Sequence, residues 1–146
     1  MLKTSILMSI FALAVALPTG FAFSQTVNST GRISELTITD TKVGTGEEAV
    51  AGKMVAVRYS GWFYTYNPAT PDHKGYRFYK AGQPIAFPLG AGRAIKGWDQ
   101  GIVGMKVGGQ RTLIIPSEMA YGAQGDGRSI SPNQALVFDF ELIGVQ

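Results

Sequence analysis

Cysteine is absent from the 146 residues, and histidine occurs once, at His73. The first fact excludes disulfide scaffolds, thiolate nucleophiles, redox thiols, thiolate zinc sites and a lipid-bearing amino-terminal cysteine. The second leaves any Ser-His-Asp triad or multi-histidine metal site resting on one residue. That residue lies in a turn beside Asp72 and reads as a solvated loop side chain. Gly46 to Lys53 imitates a phosphate loop, but five residues separate Gly46 from Gly52 where four are needed, and Met54 stands where the magnesium-binding Ser or Thr belongs. Gly90-Ala91-Gly92 lacks the third glycine and the acidic ribose partner of a dinucleotide fingerprint. Asp139 and Glu141 share the outer side of a strand, where solvation is the simpler reading. Asn28-Ser29-Thr30 fits a glycosylation sequon, a pattern common by chance. No acid, base, nucleophile or metal cage emerges, and the implied cofactor is none. What stands out is aromatic: 2 Trp, 6 Tyr and 8 Phe. Such side chains bind and desolvate through large apolar faces, with a polar handle on Tyr and Trp.

The elements that must position these rings follow from pattern. The length suits one domain, and 45% hydrophobic against 16% charged residues argues against disorder. Nineteen glycines follow no G-X-Y period. A net charge of +3, scattered along the chain, is too small for a nucleic-acid footprint. Lys3, the apolar run Ile6 to Leu17 broken only by Ser9, and Ala22-Phe23-Ser24 together describe a secretory signal peptide, cleaved between Ser24 and Gln25. The run is too short to span a bilayer, which takes about 20 residues. The expected organisation is a signal peptide over 1–24, a loose segment over 25–31 and one domain over 32–146. Thirteen of the sixteen aromatic residues lie beyond Ser24.

Within the domain, period-two alternation marks strands at Leu36 and Ile38, at Val55, Val57 and Tyr59, at Ile85, Phe87 and Leu89, at Arg111 to Ile115, and at Leu136 to Ile143. The last turns Leu136, Phe138, Phe140 and Leu142 to one face. The stretch holding Asn67-Pro68, Pro71-Asp72 and Lys74-Gly75 reads as turns. Ile95, Trp98 and Ile102 share one face of a short helix bounded by Gly92 and Gly104. The predicted class is α+β, an antiparallel sheet wrapped on one short helix.

Four segments give the chain a resemblance. Val57-Arg58-Tyr59-Ser60-Gly61, the run from Ile85 through Trp98-Asp99-Gln100-Gly101, Pro116 to Gly125 and Asn133 to Val145 resemble, in order, the FKBP-type peptidyl-prolyl cis-trans isomerases, the macrolide-binding immunophilins. The similarity runs from about Ile33 to Val145. It implies a curved sheet of five or six antiparallel strands around the helix. It also implies a catalytic set of Tyr59, Phe78, Ile95, Trp98, Tyr121 and Phe138, with Ile85, Phe87, Ala94 and Ile130 completing the substrate pocket. Trp98 would form the floor beneath a proline ring; the Ile95 N–H and the Tyr121 hydroxyl would bind substrate carbonyls.

The chain departs from the family pattern where Tyr79 follows Phe78 in place of the usual aspartate. The loop Trp62 to Arg77 is longer than in minimal members, and Asp126 stands in the flap after Tyr121. Tyr79 could offer a hydroxyl of its own to substrate. The implied partners are unfolded proline-containing polypeptides and macrolide ligands, without nucleic acid and without membrane once the signal is cut. A monomer in the periplasm or outside the cell is expected, because no helical dimerisation arm and no retention signal is present. A weakly catalytic proline-binding or chaperone module is the alternative.

Overall fold

The computed structural model describes residues 31–146; the signal-peptide reading, the sequon and most of the 25–31 segment lie outside them. Six strands form one antiparallel sheet: β1 (Thr37–Lys42), β2 (Met54–Tyr64), β3 (Lys74–Tyr79), β4 (Ile85–Pro88), β5 (Gln110–Ile115) and β6 (Leu136–Val145). One helix, α1 (Lys96–Gly101), packs inside its curve. The order is β1-β5-β6-β2-β3, with β4 also on β2. β3 and β4 share one side of β2, since Val57 pairs with Ile85 and Gly61 with Tyr79. Between them the chain swings away, tethered by Ala81 N–H donating to Ser60 Oγ at 3.0 Å and Arg58 Nε to the Gly82 carbonyl at 3.3 Å.

Alternation along β2, β5 and β6 sends Val55, Val57, Leu113, Ile115, Leu136, Phe138, Phe140 and Leu142 into a single core on the concave face. Each fully buried aliphatic side chain there contributes about 1.5–3 kcal/mol. The convex face carries a smaller cluster of Ile33, Ile114 and Val137, flanked by Trp62, Tyr64 and Ala135.

Three local expectations are corrected and one is refined. Lys74-Gly75 is not a turn but the start of β3, which pairing with the far half of β2 holds in place despite its polar sequence. The strand expected at Leu36 and Ile38 is present as β1, entered one residue after Leu36; Ile38 is 43% exposed in it, while Leu36 packs on the core. Asp139 and Glu141 face outward as expected but are paired rather than merely solvated. Lys74 Nζ reaches Asp139 at 2.7 Å while sitting 4.6 Å above the Trp62 ring, and Arg58 reaches Glu141 at 3.3 Å. His73 is half-buried and stacks on Tyr64 at 5.0 Å rather than standing free in solvent.

Candidate active site

The depth of α1 is set by glycine. A Cβ on Gly97 would lie 2.5 Å from Ile115, and one on Gly101 2.4 Å from Leu113. Without side chains at these i, i+4 positions the helix lies directly on β5. Its carboxyl end leaves carbonyls that need donors. Buried Arg111 supplies them: Nη1 donates to the carbonyls of Gly101 at 2.8 Å and Val103 at 2.9 Å. Asp40 holds the other side of the guanidinium, at 2.6 Å from Nε and 3.2 Å from Nη2.

This placement drives Trp98 into the concave core, where it is 8% exposed. Phe138 and Phe140 meet its indole edge-to-face at 5.2 and 5.0 Å, Tyr59 does so at 4.7 Å, and Phe87 lies 5.8 Å away. The indole N–H is buried without a hydrogen-bond acceptor among the described residues, so ring contacts alone fix its orientation.

Above the indole opens a cavity of about 400 Å³ lined by Ile85, Phe87, Arg93, Ala94, Ile95, Trp98 and Tyr121. That volume is within the usual range for small-ligand sites. Six of these seven are residues that the sequence nominates. Tyr59 and Phe138 stand in the ring cluster against Trp98, and Ile130 is buried in the same core. Phe78 sits farther out, stacked on Phe63 at 5.1 Å and edge-on to Phe138 at 5.8 Å. Tyr79 stacks on Tyr59 at 4.5 Å, which gives its ring a defined direction. Burial first, then the facing Tyr79 and Tyr121 phenols, push the Tyr59 hydroxyl up to about 12. Burial, and then the Asp126 charge, also raises Tyr121. Both hydroxyls therefore keep their protons at neutral pH and remain donors.

Two carboxylates hold the rim. Asp99, on α1, accepts the Gly90 N–H at 2.9 Å and the Gly92 N–H at 3.0 Å, tying the loop after β4 to the helix. The near-miss dinucleotide motif is thus the gathered end of that loop. Asp126 Oδ1 accepts the N–H groups of Arg128, Ser129 and Ile130 at 2.8, 2.9 and 2.7 Å. These bonds, the one from Ile130 foremost, hold its carboxyl below the usual aspartate range. The turn they close needs Gly125 (φ +67°), where a Cβ would lie 2.2 Å from the Ile130 carbonyl oxygen. Ile95 adopts extended backbone just before α1, and none of the hydrogen bonds among the described residues uses its N–H.

A profile of the FKBP-type peptidyl-prolyl cis-trans isomerases matches residues 45–143. The chain belongs to that family. It is 44% identical over 115 residues to an FK506-binding protein of Neisseria meningitidis, an alignment covering 77% of this chain and 98% of that one. The crystal structure of a Pseudomonas syringae pv. tomato peptidyl-prolyl cis-trans isomerase superposes with TM-score 0.62 at 38% identity, over 76% of this chain and 75% of the other. AtFKBP13 gives the same TM-score at 37% identity, covering 82% and 97%. The six-stranded curved sheet around one helix is the fold of these neighbours, and the chain is an FKBP-type peptidyl-prolyl isomerase. Sequence reasoning missed three parts of this isomerase's cleft: Arg93 in the lining, Asp99 as the rim tie and Arg111 as the helix clasp. Each acts through backbone groups or loops distant in sequence, and residue type alone carries no signal for that.

Proposed function

We propose that the cleft over Trp98 isomerises X–Pro bonds by replacing water around the amide with aromatic walls. Rotation about the bond breaks amide resonance, against a barrier of about 18–20 kcal/mol. Uncatalysed, it takes tens to hundreds of seconds. The twisted amide is less polar than the planar one, so an apolar pocket favours it over the ground state. The prolyl ring rests on Trp98 between Phe87, Ile85 and the Tyr59 ring. The Ile95 N–H and the Tyr121 hydroxyl bind flanking carbonyls and hold the segment bent. Lowering the barrier by about 4 kcal/mol accelerates the reaction about a thousandfold. No proton need leave the protein, which suits a site whose phenols stay protonated. Tyr79, stacked on Tyr59, occupies the rim where the family usually places aspartate.

The natural substrates are unfolded, proline-containing polypeptides exported with this chain to the periplasm or beyond. The signal-like residues before Gln25 support that destination, and an intact mass of exported protein that retains Met1 would refute it. The cleft also binds macrolides, a reading supported by the relatives named for FK506. The observation that carries the proposal is the apolar cavity floored by a buried tryptophan, with two donors at its edge. NMR exchange on an Ala-Leu-Pro-Phe peptide tests it. The wild-type chain accelerates exchange, Trp98→Ala abolishes the acceleration, and Tyr121→Phe, which keeps the fold, lowers kcat/KM several-fold, the scale of one lost hydrogen bond. Equal inactivity of wild type and Trp98→Ala, with unfolded chains still bound, would leave a holding module instead.

A further inference from the structure

Among the residues lining the cleft, Arg93 alone carries a formal charge. Its side chain is exposed and enters no ion pair or hydrogen bond among the described residues. Neighbouring cations share that condition. Lys80 follows Tyr79, Lys96 follows Ile95, and Arg128 sits in the flap; all three are exposed, with no ion pair among the described residues. The carboxylates on the same segments are engaged. Asp99 accepts two backbone N–H groups, Asp126 accepts three, and Glu118 pairs with Arg32. A guanidinium beside an apolar wall offers a fixed fork of donors that matches a carboxylate, and its attraction is screened less than in open solvent.

We propose that Arg93 selects X–Pro segments that carry Asp or Glu directly before or after the proline. This rests on the cleft being the isomerisation site. Arg93 lines the cavity beside Ala94 and Ile95, so a side chain adjacent to a proline held there comes within reach of the guanidinium. The contact adds substrate affinity without taking part in the rotation, so its effect falls on KM.

The test uses the full chain with paired peptides, Ala-Glu-Pro-Phe against Ala-Gln-Pro-Phe and Ala-Ala-Pro-Glu against Ala-Ala-Pro-Gln, with Ala-Leu-Pro-Phe as a neutral control. In at least one pair the glutamate peptide shows a kcat/KM about threefold to fivefold higher at low salt, the upper range of an exposed ion pair. The advantage is carried by KM and shrinks towards one in about 0.5 M salt. Arg93→Gln brings the ratio to one and Arg93→Glu inverts it. Lys106→Gln, which removes the same charge from the turn before β5, leaves the ratio as in wild type. Ratios of one for both pairs in wild type, or a preference that survives Arg93→Gln, overturn the proposal while leaving the isomerase standing. Absence of acceleration on the neutral control as well overturns the isomerase reading, and this proposal with it.

Discussion

The two rims of the cleft are built on the same chemistry and fastened to different things. On one side Asp99 gathers Gly90 and Gly92, nine and seven positions away, and pins their loop to the helix that carries Trp98. On the other, Asp126 gathers Arg128, Ser129 and Ile130, two to four positions away, and pins the flap only to itself. Asp99 is half-buried, while Asp126 is exposed. One carboxylate therefore couples a rim to the floor directly, and the other shapes a turn that reaches the core through the Ile130 side chain. Both sets are lost when the domain unfolds, but the first also holds two separate segments together, whereas the second spans one short turn.

Exchanging each carboxylate for alanine is the sharpest way to break that contrast. Asp99→Ala costs about 1–3 kcal/mol of stability, lowers the Tm by several degrees and reduces turnover through movement of Ile95 and Trp98. Calorimetry and the exchange assay on one preparation read both effects. Asp126→Ala loosens the flap, lowering kcat/KM several-fold, while the Tm stays within about 2 °C of wild type. Equal Tm losses in the two variants would show that the rims are anchored alike.

The smallest effect is on pH. The Asp126 carboxyl titrates lower in the folded protein than in an unfolded chain. Its contribution is therefore present above the ordinary aspartate value of about 3.9 and is lost as pH falls through the lower folded value. The carboxyl signal of Asp126 accordingly has its midpoint below that of aspartate in an unstructured peptide. Amide protection at Arg128, Ser129 and Ile130 weakens across the same range in wild type but not in Asp126→Asn, which keeps the acceptor oxygen and cannot ionise. A midpoint at or above the peptide value would remove the flap's carboxylate tie.

The same contrast between local and distant fastening explains what could be read in the chain. Val55, Val57 and Tyr59, and the long alternation from Leu136, are visible because one strand face is buried along their length. Trp98 and Tyr121 are visible because short motifs carry them. β3 is not, because Tyr76 and Arg77 are exposed and the strand exists only through its partner, the far half of β2. Nor does alternation announce the cluster of Ile33, Ile114 and Val137, three segments that meet on the face where polar residues are expected. Arg93 became a site residue only when the cavity wall was closed by residues from β4, the helix entry and Tyr121.

The two tryptophans fall one to each face of the sheet. Trp98 is enclosed by four rings on the concave side, and Trp62 stands on the convex side beneath the Lys74 ammonium. The chain therefore carries a built-in optical pair. A ligand settling on the indole of Trp98 changes the emission of one fluorophore while the other, across the thickness of the sheet, serves as an internal reference. With Trp62→Phe and Trp98→Phe to separate the two signals, occupancy of the cleft becomes readable in unlabelled protein, including for ligands whose bonds never turn over.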